Sequence, residues 1–426
     1  MTKKRKSAVK YWIGKIHLWM GLISGLFVFF LGITGCILAF EKEIGDLTQR
    51  YRFVKIENKP RLLPSQLKNI ADLKLPGKHG HSVSYEPGKA AKVLYYNADP
   101  EYYYIVYMDP YSGQVLKVKD MNRDFFRIIT IGHYYLWLPP AIGQPVLATA
   151  TLLFVLLLIS GLVLWWPKNR ASSNKRFTIK WNARWRRVNY DLHNVLGFYI
   201  TWIVIFIGLT GLVMGFQWFS KSVYWVSSGG KKLNLFEESF SDTTRTLPVA
   251  AGAPIDRLWL KALNENPDHK GSIEVHIPDS PKAALELALN PDTETYWKAD
   301  YRYYDQYTLK EIDVKHVFGR YSKASVADKI IRMNYDIHIG AIGGLPTKIL
   351  AFIGSLIAAS LPLTGFIIWW GRRNKTKGKK MKQRKSGRSG NLAEQAETVG
   401  ARVHNTERKP GSDAPVSGTT SIKRQE

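Results

Sequence analysis

The sequence has few of the residues and motifs that mark soluble enzymes. Of its 426 residues only Cys36 is a cysteine, which excludes an internal disulfide framework. It has no CxxC pair, no glycine-rich nucleotide-binding loop and no nucleophile elbow. We therefore expect no nicotinamide or flavin site on this chain, and we assign no catalytic residue.

Charged side chains are absent from long hydrophobic runs. Ile16–Phe40 and Leu192–Phe216 each extend for about 25 residues without a charge, enough to cross a hydrocarbon core of roughly 30 Å as a helix. Two further apolar runs end in the tryptophan pairs Trp165–Trp166 and Trp369–Trp370, where an aromatic belt is expected. Because the spans also lack carboxylates, a transporter is the less favoured class.

Acidic residues are missing from three basic segments that flank the spans. The formal net charge is +27, and Lys3–Lys15, Lys168–Arg187 and Arg372–Arg388 together hold 24 Lys and Arg with no Asp or Glu. The positive-inside rule predicts that these segments face the cytoplasm, where they also attract anionic lipid. The charge thus indicates a multi-pass membrane protein with both termini cytoplasmic, and not a nucleic-acid binder.

These runs predict an order of segments along the chain. They are a basic cytoplasmic arm (1–15), span one (16–40), a first outer domain (41–127), an interfacial helix with a proline break (128–145), span two (146–166), a basic cytoplasmic loop (167–191), span three (192–216), a second outer domain (217–332), an interfacial segment (333–347), span four (348–370) and a basic tail predicted to be disordered (371–426).

The unit of helix, outer domain and helix occurs twice. Spans one and three align on histidine without a gap, and spans two and four share a hydroxyl residue followed by glycine ahead of their Trp pairs. The matched residues are His17 and His193, Gly21 and Gly197, Thr34 and Thr210, Gly35 and Gly211, Ser160-Gly161 and Thr364-Gly365, and His133 and His338. This pattern predicts an α-helical membrane protein of two parallel repeats, related by a pseudo-twofold axis along the membrane normal.

Four histidines at matched depths are the candidate ligands. His17 and His193 lie at the cytoplasmic ends of their spans, while His133 and His338 lie at the outer ends. Two neutral imidazoles facing each other in a helical bundle are typical axial ligands of b-type haem iron. The sequence therefore predicts two haem b groups, one held by each pair, and a route for electrons across the bilayer.

The glycines have two interpretations. Gly21 and Gly197 lie one turn from the inner histidines, and Gly35 and Gly211 lie roughly 27 Å along the helix, at the depth of the outer pair. We predict that they give a porphyrin room, and the alternative is a helix-packing seam.

The histidines also have a simpler interpretation. A single histidine at a span end is commonly an interfacial side chain bonded to a carbonyl. His79 and His81 indicate an exposed loop more than a metal site. Ile33–Cys36 fits a lipoprotein cleavage box, but the second copy keeps the pattern with Leu212 in place of the cysteine, so we expect the span to be retained.

The outer segments add a further signature. Asp109–Leu116 reads DPYSGQVL, and Asp305–Leu309 reads DQYTL, with Leu309 where the first copy has glycine. With these motifs, residues 10–375 resemble the PepSY-associated transmembrane helix family, bacterial inner-membrane proteins often linked to iron uptake. Some members are haem b ferric-siderophore reductases.

The resemblance implies a function and a site. It implies two extracytoplasmic α+β PepSY-like domains and a di-haem cytochrome that carries electrons outward to a ferric chelate or siderophore near His133 and His338. The electron donor, cytoplasmic or a quinol, is left open. Residues that would line the outer haem edge are Arg127, Tyr134, Tyr135 and Arg332. The alternative is a non-enzymatic membrane protein that regulates a peptidase or binds a protein partner.

Overall fold

A computed structural model describes residues 8–167, 176–245 and 252–374. The first seven residues of the predicted basic arm, residues 168–175 of the predicted basic loop, and the predicted disordered tail from residue 375 onward lie outside these ranges.

The described residues form helices and strands in the following order. The elements are α1 (Ala8–Ala39), α2 (Glu41–Thr48), α3 (Pro64–Asp72), β1 (Gly80–Tyr85), β2 (Ala91–Ala98), β3 (Glu101–Met108), β4 (Val115–Asp120), α4 (Phe125–Tyr135), α5 (Pro140–Trp165), α6 (Trp185–Gly215), α7 (Gln217–Ser227), α8 (Pro254–Glu265), β5 (Ser272–His276), β6 (Leu285–Asn290), β7 (Asp300–Tyr304), β8 (Glu311–Ile312), α9 (Val326–His338) and α10 (Leu345–Asn374).

Four of the described helices, α1, α5, α6 and α10, are long and apolar enough to cross a membrane. They coincide with the four predicted spans, but each begins before the predicted start, and only α10 also continues past the predicted end. At 1.5 Å per residue the 32 residues of α1 reach about 48 Å, against a hydrocarbon core of roughly 30 Å. Hydropathy marks only the part that lipid surrounds, whereas backbone hydrogen bonding continues the helix into polar flanks.

The predicted proline break before span two is only partly correct. The helix α4 ends where Leu136 and Trp137 adopt positive φ angles of 57°. The next helix then begins directly at Pro140 and contains Pro145. A proline suits the first helical position because its missing N–H has no intrahelical partner there, and interior prolines are tolerated in spanning helices. The break therefore lies before Pro140, and residues 140–145 belong to α5.

Small residues set the packing of the four spanning helices. A Cβ added at Gly32 of α1 would lie 2.8 Å from the Cβ of Ala359 on α10, and one at Gly208 of α6 would lie 2.9 Å from Val155 on α5. Side chains that point away from the bundle are apolar and exposed, such as Leu26 at 75 %. Close backbone approach inside and apolar side chains outside are typical of helices that pack in lipid.

The described residues of the two outer segments form one antiparallel sheet of eight strands, in the order β4-β3-β2-β1-β5-β6-β7-β8. The sequence predicted two outer domains; the structure joins the strands of both at β1 and β5, where Val83 lies opposite Val275. Two separate four-stranded sheets would each leave one of these strands as an unpaired edge. Pairing them satisfies their backbone groups and merges the two cores.

The sheet has one apolar and one polar face. Its apolar face packs on α3 and α8, where Tyr85 stacks on Trp259 with ring centres 4.1 Å apart. Because side chains alternate along a strand, the neighbours of the core residues point to the other face. They include Ser84, Glu274 and Glu286, which line a cavity between the sheet and the spanning helices.

Both copies of the predicted turn are present. The amide of Gly113 donates to the carbonyl of Asp109, and the amide of Leu309 donates in the same way to Asp305. The φ angles are +76° at Gly113 and +54° at Leu309. The second copy therefore keeps the left-handed turn with a leucine, a conformation that L-residues adopt at a cost.

The first turn provides a test of this constraint. Substitution Gly113→Ala should lower the free energy of unfolding by about 1–2 kcal/mol through the left-handed conformation alone. The substitution should lower the free energy of unfolding further, because the new Cβ would lie 2.6 Å from Cδ1 of Ile70. Urea unfolding of the detergent-solubilised protein, followed by tryptophan fluorescence, measures the change.

Gly77→Ala is the matched control. Gly77 has the same φ of +76° but nothing within 4 Å of an added Cβ, so it reports the backbone cost alone. Equal losses in the two variants would contradict the assigned contact with Ile70.

Candidate functional site

The structure brings two of the four candidate histidines together. His133 lies near the end of α4 and His338 is the last residue of α9, and their ring centres are 6.2 Å apart with ring planes at 65°. Both rings lie deep in the protein, although they are partly exposed to the cavity that they line. Burial lowers the pKa of both imidazoles, so both are neutral at pH 7.

A threonine on a spanning helix anchors each of these rings. Nδ1 of His133 lies 2.8 Å from Oγ1 of Thr34, and Nδ1 of His338 lies 3.1 Å from Oγ1 of Thr210. Each threonine donates its only hydroxyl hydrogen to a carbonyl one turn back, at 2.8 Å. It therefore accepts a hydrogen bond from the imidazole.

The hydrogen bonding thus assigns the tautomer of the pair. Nδ1 of His338 also lies 3.0 Å from the carbonyl oxygen of Ile207, which can only accept. The proton of each ring is therefore on Nδ1, and Nε2 carries the lone pair. A neutral imidazole whose Nδ1–H is held by the protein is the usual form of a metal-ligating histidine.

The inner histidines are anchored in the same way on the other two spans. Nδ1 of His17 lies 2.9 Å from Oγ of Ser160 on α5, and Nδ1 of His193 lies 2.9 Å from Oγ1 of Thr364 on α10. Both hydroxyls donate to helix carbonyls, at 3.2 and 3.0 Å. His193 lies within a π-helical turn, Leu192–Leu196, a distortion that occurs frequently at functional sites. The structure therefore defines one anchor for each of the four rings.

The predicted glycines divide into two groups. A Cβ at Gly35 would lie 3.7 Å from Cε1 of His133, and one at Gly211 would lie 3.4 Å from Cε1 of His338. These two glycines therefore lie against the histidine rings themselves. Gly21 and Gly197 instead face leucine side chains, both at 3.7 Å. Whether any of the four contacts a cofactor stays a prediction.

Two glycines and four hydroxyls were missed as site residues. A Cβ at Gly161 would lie 3.5 Å from Cε1 of His17, and one at Gly365 would lie 3.2 Å from Cε1 of His193. The signal was present, since a hydroxyl residue precedes glycine at Ser160-Gly161 and Thr364-Gly365 and again at Thr34-Gly35 and Thr210-Gly211. Each such pair supplies a hydrogen-bond acceptor for one imidazole and room for its ring.

A cavity of about 840 Å³ extends from the outer histidine pair to the polar face of the sheet. Its lining includes both rings, Gly35 and Gly211 at the membrane end. This volume is within the range of roughly 300–1,000 Å³ that cofactor and ligand sites occupy.

The predicted haem-edge residues do not all reach this cavity. Tyr134 lines it, and the guanidinium of Arg127 lies over the ring of Tyr103, 5.3 Å from its centre, with its Nε buried and unpaired. The guanidinium of Arg332 does not point its donors at the cavity. It donates hydrogen bonds to the carbonyls of Val317, Ala299 and Gly319. Arg332 is a structural residue, and the prediction that it lines the haem edge is not supported by its contacts.

An ion pair closes one wall of the cavity. Nζ of Lys348, which is 5 % exposed, lies 2.7 Å from Oε1 of Glu43. The other carboxylate oxygen of Glu43 is buried without a partner among the described residues. The pair joins α2 to the start of α10 and holds the wall beside the histidines.

Comparison with known proteins gives one family. The PepSY-associated TM region matches residues 15–372, which include all four histidines and both halves of the sheet. The chain matches no curated protein.

The ion pair in the cavity wall can be tested by a double-mutant cycle. Lys348→Met should lower the free energy of unfolding by about 1–3 kcal/mol, because it leaves a partly buried carboxylate without a counter-charge. Adding Glu43→Gln should recover part of that loss. Urea unfolding in detergent measures both variants, and strictly additive losses would show that the two residues do not interact.

Proposed function

The chain belongs to the family of the PepSY-associated TM region, as its motifs predicted, and on that premise we propose that it is a di-haem b membrane cytochrome. We propose that it passes electrons outward to a ferric chelate or siderophore. The observation that carries this proposal is the set of four partly buried histidines whose Nδ1–H groups are all bonded to hydroxyls. In this tautomer each ring carries its lone pair on Nε2, the atom that would ligate iron.

The outer pair fits a haem iron. The ring centres of His133 and His338 are 6.2 Å apart, a separation that would leave room for one iron held by a nitrogen of each ring through bonds of about 2 Å. Nε2 of each ring would ligate the iron, and Gly35 and Gly211 leave space beside the rings. When bound, haem b supplies one-electron redox chemistry. Thr34 and Thr210 hold the rings and fix their tautomer.

Matching contacts in the two halves support an inner site of the same kind. Ser160 and Gly161 hold His17 as Thr364 and Gly365 hold His193. The same correspondence relates Thr34 and Thr210 at the outer pair and supports two repeats about a pseudo-twofold axis. Since the histidines of α1 and α6 lie near the ends remote from the sheet, the two sites are at opposite depths of the bundle.

The cavity gives the acceptor a place beside the outer pair. It continues from His133 and His338 to the polar face of the sheet, so a chelate bound there is separated from the outer site by no intervening helix. Hard oxygen ligands favour Fe³⁺, and reduction to Fe²⁺ weakens their hold. With the basic segments in the cytoplasm, the sheet and cavity lie on the outer side of a bacterial inner membrane.

Haem content tests the ligand assignment. The purified protein should show a dithionite-reducible b-type spectrum with two haems per chain, and His133→Ala should remove one of them. The double variant His133→Ala/His338→Ala should lose no more than the single, because both residues serve one site. His17→Ala/His133→Ala should lose both haems, as measured by the pyridine haemochrome assay.

The control for this series is His269→Ala. His269 lies in the loop before β5, where its Nε2 is 3.0 Å from the carbonyl oxygen of Ser272, and it does not line the cavity, so both haems should remain. A well-folded, haem-free wild-type protein would refute the cytochrome and favour the alternative of a regulatory or protein-binding module.

Electron transfer to iron tests the activity. Protein reduced with dithionite and desalted anaerobically should be reoxidised by a ferric trihydroxamate chelate, with one Fe²⁺ appearing per electron in a ferrous-specific chromogenic chelator. In His133→Ala/His338→Ala the remaining haem should stay reduced on the same timescale, because the site nearest the cavity is gone. If the variant were reoxidised at the same rate as the wild type, the acceptor would receive electrons at a site other than this cavity.

A further inference from the structure

A short helix at the outer end of the third span exposes large apolar side chains. The helix α7 begins at Gln217, two residues after α6 ends at Gly215. On its open face Trp218 is 55 % exposed, Trp225 is 59 % exposed and Val226 is 73 % exposed. Apolar side chains that share one exposed face mark an interaction surface, whereas single ones are ordinary.

The exposed residues of α7 recur with the period of a helix. Positions 217, 218, 221, 222, 225 and 226 are exposed, whereas positions 219, 220, 223, 224 and 227 are partly or fully buried. Trp218 and Trp225 therefore stand on one side, with Lys221 and Ser222 between them. Two indole rings with a lysine on the same face are typical of helices that lie in the plane of a membrane surface.

Packing keeps α7 beside the spanning helices. Its buried face contributes Tyr224 to an apolar cluster with Ile331 of α9, and Val223 of α7 and Val213 of α6 pack against that cluster. Val213 belongs to the apolar run that predicts span three. Because both helices pack on one cluster, α7 lies beside the last turn of α6 and does not project away from the bundle. Its open face is therefore at the level where a hydrocarbon core ends.

The charge around α7 suits the headgroups of phospholipids. Residues 216–236 contain Lys221, Lys231 and Lys232 and no Asp or Glu, and all three lysines are exposed. Basic residues are uncommon on the outer side of a membrane protein, so their presence here calls for a local reason. A lysine beside a membrane packs its methylene groups on apolar surface and extends its ammonium group to the phosphates.

We propose that α7 is a membrane-surface helix that binds phospholipid in the outer leaflet. Trp218, Trp225 and Val226 enter the boundary between headgroups and acyl chains, and the three lysines bind headgroup phosphates. The indole ring suits this position because its body is apolar and its N–H is polar. This surface goes beyond the proposed function, because it requires neither haem nor a ferric chelate.

The buried side of the same helix supports α9. The hydroxyl of Tyr224 donates a hydrogen bond to Asp328 at 2.9 Å, and its cluster includes Ala327 and Ile331. Because α9 ends at His338, a lipid contact that holds α7 also stabilises the helix that carries one of the outer histidines.

Spin-label accessibility tests the proposal on the full chain in nanodiscs of phosphatidylethanolamine and phosphatidylglycerol. In a Cys36→Ser background, a nitroxide is attached at Ser222→Cys, between the two tryptophans. Oxygen, which concentrates in lipid, should relax this label strongly, and a water-soluble nickel chelate should relax it weakly. Asn264→Cys is the matched control, because it is exposed on α8, on the side of the sheet away from the bundle. Its label should show the reverse order.

The outcomes separate lipid from water and from protein. Strong relaxation of the Ser222→Cys label by the nickel chelate would place α7 in water, and weak relaxation by both agents would show that a second copy or another protein covers it. Either result would overturn the proposal. Trp218→Ser/Trp225→Ser should lower the ratio of oxygen to nickel accessibility severalfold, toward the control, and Lys221→Gln/Lys231→Gln/Lys232→Gln should lower it in the same direction. Unchanged far-UV circular dichroism would show that these variants are folded, and an unchanged ratio in both would contradict the assigned anchors.

Discussion

The hydrogen bond from an imidazole Nδ1 to a hydroxyl on a neighbouring helix is the interaction on which this structure depends. It occurs four times, at Thr34, Ser160, Thr210 and Thr364. Because each hydroxyl gives its hydrogen to its own helix, the ring must donate, and Nε2 is left as a ligand atom. The same bond ties each histidine to a second helix, so that it fixes both the chemistry of the ring and its position between two elements.

The rest of the fold supports these contacts. Glycine follows each of the four hydroxyl residues, and its missing side chain admits the ring. Glycines elsewhere on α1 and α6 bring the spanning helices together. At one end of the bundle the two outer segments meet in a single sheet, with an apolar face against helices and a polar face toward the bundle. The cavity between sheet and bundle joins the outer histidines to a set of carboxylates and imidazoles.

The spans and the matched positions of the four histidines were predictable because their signals are local or repeated. Apolar runs without charge define the spans, and an ungapped repeat matches His17 with His193. The shared sheet was not predictable in this way, since β1 and β5 lie almost 200 residues apart and no local pattern records their pairing. His81 was interpreted as part of an exposed loop for the same reason, because its neighbour His276 is on β5. The hydroxyl anchors were visible only as repeat markers, since their partners come from other helices.

The central claim of this account is that the paired imidazoles hold iron. Anomalous scattering from crystals of the purified protein, collected on either side of the iron absorption edge, tests it most directly. The account predicts one iron peak between the Nε2 atoms of His133 and His338 and a second one bound by His17 and His193. Ordered histidines without an iron peak between them, in protein purified from haem-replete cells, would contradict it.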